Sequence, residues 1–415
     1  MRHSLLLSLS LIATSAASAQ APPAPQARLL AALQANRLPL TMSDGRPAGP
    51  GWDWLVQEAR NARFTLIGEE HGVAETAQLA AALFTALRAS GYSRFAIELS
   101  PPIAQDVEAA ARRNGLQGIT EFLTTPGVFT FYNMREEAQF VADVVAAGPR
   151  NERVLYGFDR EVFSDRYLIS KLEPKVPPGA RAAFARLKEA SDSARAKNAR
   201  TGNPDDLFFL GQDSALASAL RAAWPNPDPE SDAVLRTIEG SLAIETAERT
   251  GGLWPYMQRR TQWMRSNMAA LLRTGSPKIL MKFGYNHMIR GANYFNEFDI
   301  GTMADEVAAL TGERAFHILV LPGPGSRQAT PWGGSVASDS VDEMRAGDQR
   351  LARVLSNANA TGHEVIDLRA LRPLAIRGLE SWNADLVRTI HGYDAVVIWK
   401  GAHAASGLTA PRPKP

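Results

Sequence analysis

The stretch Phe64-Thr65-Leu66-Ile67-Gly68-Glu69-Glu70-His71-Gly72 changes character within one residue, from a run suited to a buried strand to two carboxylates and an imidazole. A short continuous apolar run fits a strand covered on both faces, as in a parallel sheet packed between helices. The amphipathic stretch that follows, carrying Glu75, reads as a helix. The same pattern recurs along the chain. Residues 94–98, 153–159, 278–285, 315–321, 364–368 and 394–399 each read as a buried strand, and helical stretches separate most of them. The expected fold is therefore α/β, with a mostly parallel central sheet flanked by helices.

One interval breaks the alternation. Between 159 and 278 no strand pattern occurs, and 181–195, 205–222, 231–248 and 254–272 are rich in Ala and Leu with charges at helical spacing. Pro177-Pro178, Pro225, Pro227 and Gly251-Gly252 punctuate them. These four stretches predict a helical insertion, residues 161–275, forming a cap lobe over the carboxyl edge of the sheet. The α/β catalytic core is then 29–160 together with 276–405.

Both ends of the chain read differently from this core. Met1-Arg2-His3, an apolar run over 4–16 and Ala17-Ser18-Ala19 have the form of a signal peptide, residues 1–19, cleaved after Ala19. Residues 20–28 read as an extended Pro-rich spacer, and 406–415, ending Pro-Arg-Pro-Lys-Pro, as a flexible tail. The first apolar run is too short to span a bilayer, and no later stretch approaches about 18 apolar residues. A soluble periplasmic or secreted protein without a membrane anchor is expected.

Composition removes several chemistries. The 415 residues carry 45 Lys plus Arg against 43 Asp plus Glu, a formal charge of +2, which offers no basic patch for nucleic acid. There is no Cys, hence no disulfide, thiol nucleophile, thiolate ligand or lipidation site. Gly333-Gly334-Ser335-Val336-Ala337 lacks the second Gly of a serine nucleophile elbow, and neither a dinucleotide nor a nucleoside-triphosphate glycine motif is present. What remains is His and carboxylate chemistry, with no organic cofactor expected.

Those residues sit at predicted strand ends: Glu69, Glu70 and His71; Glu98; Asp159; Asn286 and His287. In an open parallel sheet the carboxyl ends share one edge, so these clusters can converge across more than 200 residues of sequence. Of the seven His, His3 falls in the leader, and His317, His363, His391 and His403 lie apart from any strand-end carboxylate cluster. His71 and His287 are the candidates. A neutral imidazole can take a proton from water while a carboxylate fixes its tautomer, a role open to Glu69, Glu70 or Glu98. The same set could hold a divalent metal, Zn²⁺ or Mn²⁺. Glu75 would share a helix face with His71 if the helix began at once, and Asp159 suits a helix cap as well as a site. Trp254, Tyr256, Trp263, Phe131 and Tyr132 could line an apolar cleft or fill a core.

The ordered set resembles the erythromycin esterase-like family. The resemblance lies in residues 66–72, Glu75, Phe95-Ala96-Ile97-Glu98, Leu155-Tyr156-Gly157-Phe158-Asp159, Arg260-Thr261-Gln262-Trp263-Met264 with Asn267, and Gly284-Tyr285-Asn286-His287. It covers most of 60–310. It implies hydrolysis of a small-molecule ester or lactone, with His71 as general base for water, Glu98 and His287 assisting and Glu69 in support. His287 would stabilise the oxyanion or protonate the leaving group. Glu70, Glu75, Asp159 and Asn286 stand as supporting candidates. One residue rather than two separates Glu69 from His71, a spacing similar to haem-uptake proteins of the ChaN type and, more distantly, to Tiki-like metalloproteases. Arg265 stands where the family has Ala. These wider relatives imply two alternatives: a periplasmic haem or tetrapyrrole carrier with Tyr132 or Tyr285 as axial ligand, and a hydrolase using a metal on His71, Glu98 and His287.

Overall fold

The computed structural model describes residues 25–130, 132–322, 326–328, 338–340, 362–377 and 384–408. The leader at 1–19, Phe131, the 333–337 segment and residues 409–415 lie outside them. The strands are β1 (Arg37–Ser43), β2 (Arg46–Ala48), β3 (Phe64–Glu69), β4 (Tyr92–Ile97), β5 (Leu155–Gly157), β6 (Lys278–Gly284), β7 (Ala315–Pro322), β8 (Ser326–Gln328), β9 (Ser338–Ser340), β10 (His363–Asp367) and β11 (Ala395–Trp399). Nine of them form one sheet in the order β2-β1-β10-β11-β7-β3-β6-β4-β5, while β8 and β9 pair with each other.

From β11 through β5 every neighbouring pair is parallel, and β10, β1 and β2 extend the sheet antiparallel on one side. All seven strands expected from apolar runs are present. β1 and β2 were not anticipated, because Arg37-Leu38-Pro39-Leu40-Thr41-Met42-Ser43 is only partly buried and shows no continuous apolar run.

Alternation along the strands gives the sheet two apolar faces. Phe64 and Leu66 of β3 join Ile279, Met281 and Phe283 of β6 on one face, packed by Met264 and Met268 of the helix Leu253–Leu272 and by Ile300 and Ala304 of Ile300–Leu310. Ile67 and Leu280 point the other way, onto a cluster that includes Leu83 and Phe84 of the helix Ala74–Leu87 and Phe140 of Arg135–Ala147. Each such side chain contributes about 1.5–3 kcal/mol when fully buried. The result is a mixed α/β fold with helices on both faces.

The interval 161–275 is helical. It contains Asp165–Leu172, Arg181–Thr201, Phe208–Gly211, Ala215–Ala223, Pro229–Gly251 and Leu253–Leu272. The stretch expected as one helix over 205–222 is broken. The Asp213 carboxylate accepts the Ala215 N–H at 2.7 Å and starts a new helix there.

Two terminal expectations are corrected. The spacer is not extended throughout 20–28, because a helix runs from Pro25 to Ala35 and buries Leu29 and Leu33 against the face that holds Leu368 and Leu371. Pro25, at the first helical position, is compatible with this. The tail does not begin at 406, since Ser406 N–H donates to Glu136 Oε2 at 2.7 Å and its hydroxyl donates to Oε1 at 2.9 Å.

At the β5 end, the sheet edge is closed by side chains. Glu108, on the helix Pro101–Leu123, accepts the N–H of Val154 at 3.1 Å and of Leu155 at 2.8 Å, while Arg153 Nε donates to the Leu155 carbonyl at 2.8 Å. Glu108→Ala would leave two buried N–H groups unpaired, an expected cost of about 2–4 kcal/mol. A lower urea midpoint at unchanged m-value would measure it.

Candidate active site

The four strand ends singled out in the sequence belong to four consecutive strands of the sheet, β3-β6-β4-β5. Parallel register sets Glu69 opposite Gly284, and Ile97 opposite both Lys282 and Gly157. Glu69 closes β3, Glu98 follows β4, Asp159 follows β5, and Asn286 and His287 lie on the short helix Tyr285–Met288 after β6. Beyond Glu70 and His71, Gly72 takes φ +86°, a left-handed turn that favours glycine and carries the chain away from the strand.

Glu98 stands at the centre. Its Oε1 accepts from Arg260 at 2.7 Å and faces His287 Nε2 at 3.6 Å, while Oε2 accepts the Gly284 N–H at 2.7 Å and faces His71 Nε2 at 3.5 Å. Although burial pushes its carboxyl up, the charges of His71, His287 and Arg260 and the Gly284 N–H hold it well below the usual carboxylate range. Gly284 leaves room for this approach. A Cβ there would lie 3.3 Å from His71 Nε2 and 3.5 Å from Glu98 Oε2.

His71 bonds through Nδ1 to Glu69 Oε1 at 3.0 Å. Burial disfavours its charged form, but the Glu69 hydrogen bond and the Glu98 and Glu69 charges outweigh this and raise the ring to about 9. His71 is 39% exposed, whereas Glu69, Glu98, Asp159, Lys282 and His287 are each 6% or less. Of this group, His71 is the one open to the surface. His287 Nδ1 meets Asp299 Oδ2 at 2.7 Å, so its Nε2 is turned toward Glu98. The sequence reading put His287 against the substrate; in this arrangement it is buried and braces Glu98.

Asp159 binds Arg260, receiving Nε at 3.0 Å and Nη2 at 2.6 Å. Glu70 is half-buried beside His71. The Asn286 side-chain oxygen is buried with no hydrogen-bond partner among the described residues. Glu75 does not join the set. The helix begins only at Ala74, and Glu75 accepts from the His403 N–H and Nδ1, fastening the carboxyl-terminal segment to the turn after His71. Ala405 N–H to the Gly72 carbonyl, at 2.9 Å, completes that clasp.

Other participants were not singled out from sequence. Lys282 Nζ bonds to Glu69 Oε1 at 2.6 Å and to both Glu137 oxygens at 2.9 and 3.0 Å. A lysine inside the apolar run of β6 was the available signal, because a buried ammonium must find carboxylates. Arg260 stood in the Arg260–Met264 motif of the resemblance without an assigned role, and Asp299 had no signal. Tyr132 is buried, its hydroxyl is held by the Glu98 main chain, and burial with the nearby Glu137 charge pushes its phenol well up. It is poorly suited to an axial haem ligand. Among the described residues, no group of three or more His, Cys, Asp or Glu is arranged to hold a metal ion. Tyr256 donates no cleft face, since it packs against Met257 and Ile244 with its hydroxyl on Arg160, while Trp254 is exposed.

His71 links the site to stability. A ring raised from 6.5 to about 9 stabilises the fold fully below pH 6.5, and that contribution is lost as pH rises through 9. Between pH 7 and 9 the urea midpoint is therefore expected to fall in the wild type, with His71→Asn showing a flatter dependence.

Neither any known family pattern nor any curated protein sequence matches the chain. Solved structures do share its fold. A succinoglycan biosynthesis protein aligns with TM-score 0.65 at 14% identity over 92% of this chain and 98% of its own. A Bacillus cereus protein aligns with TM-score 0.58 at 15% identity over 93% and 100%. A mutant of the erythromycin esterase EreC in its open conformation aligns with TM-score 0.56 at 14% identity over 86% and 95%. The chain therefore has the fold of these proteins, one of which is an esterase. Among the described residues no helix is long and apolar enough to cross a membrane.

Proposed function

We propose that the protein is an exported hydrolase that cleaves an ester or lactone with water activated by His71. The observation that carries this reading is one half-exposed imidazole held between two buried carboxylates, with Glu69 on Nδ1 and Glu98 beside Nε2. Glu69 keeps the proton on Nδ1, so Nε2 is the atom that takes the proton from water. As that proton arrives, Glu98 stabilises the imidazolium at 3.5 Å. Arg260 and the Gly284 N–H hold Glu98 in place, and the Asp299–His287 pair stands behind its other oxygen. Likeness in fold to an erythromycin esterase supports the reaction class.

No step in this scheme needs a metal. Location outside the cytoplasm rests on the leader pattern in residues 1–19.

A base that binds its proton up to about pH 9 is roughly 1% neutral at pH 7, so kcat/KM is expected to rise about tenfold per pH unit before levelling near 9. Purified protein assayed on panels of aryl esters and macrocyclic lactones measures this. His71→Ala should lose about 10²–10⁴-fold in kcat. Equal turnover in that variant would remove His71 from the mechanism, and a rate that falls rather than rises toward pH 9 would make the ring an acid instead.

A further inference from the structure

Behind Glu69, on the side away from the exposed face of His71, lies a second charged group. Alternation puts Ile67 and Glu69 of β3 on the same face as Leu280 and Lys282 of β6, and the helix Arg135–Ala147 covers that face and carries Glu137. Lys282 is 1% exposed and Glu137 3%. The rings of Tyr132 and Phe140 each lie 5.4 Å from the ammonium and shut it from water. One ammonium thus serves two buried carboxylates. Glu69 Oε1 in turn serves two donors, Lys282 Nζ at 2.6 Å and His71 Nδ1 at 3.0 Å.

A buried ion cluster of this kind is seldom more stabilising than apolar side chains of equal volume. It reaches the partly exposed His71 through Glu69. We propose that Lys282 and Glu137 are positioning residues for His71: Lys282 competes with the ring for Glu69 Oε1, Glu137 draws Lys282 away from it, and their balance sets how tightly the ring is held. This rests on the reading of His71 as the base.

The direction of each effect follows from the charges around the ring. Those facing it are Glu69 from its own segment, Glu98 from the end of β4 and Lys282 from β6. Glu137 stands behind Lys282, and Arg260, Asp159 and the Asp299–His287 pair stand behind Glu98, with Tyr132 on the Glu98 main chain. Without the ammonium, Glu69 serves His71 alone and the ring keeps its proton to higher pH. Glu69 and Glu137 cannot then both stay charged. Glu137, pushed up to about 7 by burial and the Glu69 charge, takes the proton. Removing the Glu137 charge instead gives the ammonium wholly to Glu69, and the ring releases its proton at lower pH.

The test is an NMR titration of the His71 ring carbon Cε1 in the full chain, beside the pH profile of kcat/KM, for wild type, Lys282→Met, Glu137→Gln and the double variant. The midpoint is expected to rise by about one pH unit in Lys282→Met and to fall by about one in Glu137→Gln. At pH 7 this means roughly tenfold lower and tenfold higher kcat/KM, with KM little changed. The double variant, which buries no unpaired charge, should titrate like Lys282→Met and supplies that arm if the single variant does not fold. Midpoints that stay fixed, or that move in the same direction, would overturn the proposal. The NMR arm needs no turnover. Opposite shifts in a protein that cleaves no ester would uphold this charge balance and defeat the hydrolase reading.

Discussion

Everything at the candidate site depends on keeping the Glu98 carboxylate charged while it is almost completely buried. An uncompensated carboxylate at such a position would take up a proton, because desolvation penalises its ionised form far more than the neutral one. The fold answers with four partners: Arg260 from a helix, the Gly284 N–H from the end of β6, the imidazole of His71 from beyond β3 and that of His287 from the short helix after β6. These partners constrain the backbone as well as the charges. β6 has to end where its Gly284 N–H meets the carboxylate, and the helix Leu253–Leu272 has to approach the sheet closely enough for one guanidinium to bridge Asp159 and Glu98.

That bridge also explains how the helical interval is joined to the sheet. Arg260 ties it to two strand ends, and Arg160, just beyond β5, binds Glu245 at 2.5 Å and the Tyr256 hydroxyl at 2.7 Å from the helical side. Asn267 adds a bond to the Phe158 carbonyl at 2.9 Å. Polar contacts of this number and direction fix orientation as well as proximity, and they converge on residues that either hold Glu98 or adjoin those that do.

The sheet was legible because buried parallel strands are short unbroken apolar runs, and seven of them announced themselves in that way. β1 and β2 were not, since Pro39 and Pro47 interrupt any pattern and pairing alone makes them strands. Strand-end chemistry was legible for the same reason as the strands, because a carboxylate or imidazole ending an apolar run stands out. Pairings were not. Asp299 caps Ile300 at 2.7 Å through one oxygen and orients His287 through the other. Glu75 was assigned by spacing from a helix start that Gly72 postpones by three residues, and the tertiary contact with His403 claimed it instead. Spacing along one helix is local information, and the partners of buried charges are chosen by strands far apart in sequence.

The closed edge at β5 bears on association between molecules. A free strand edge offers a ladder of unpaired N–H and C=O groups onto which a strand of another chain can add. Here Glu108 and Arg153 already occupy both main-chain groups of Leu155, and the opposite end of the sheet finishes in a three-residue strand with Pro47 at its middle. Among the described residues the nine-stranded sheet has two edges where self-propagating β-aggregation could begin, and side chains of the same chain obstruct each of them.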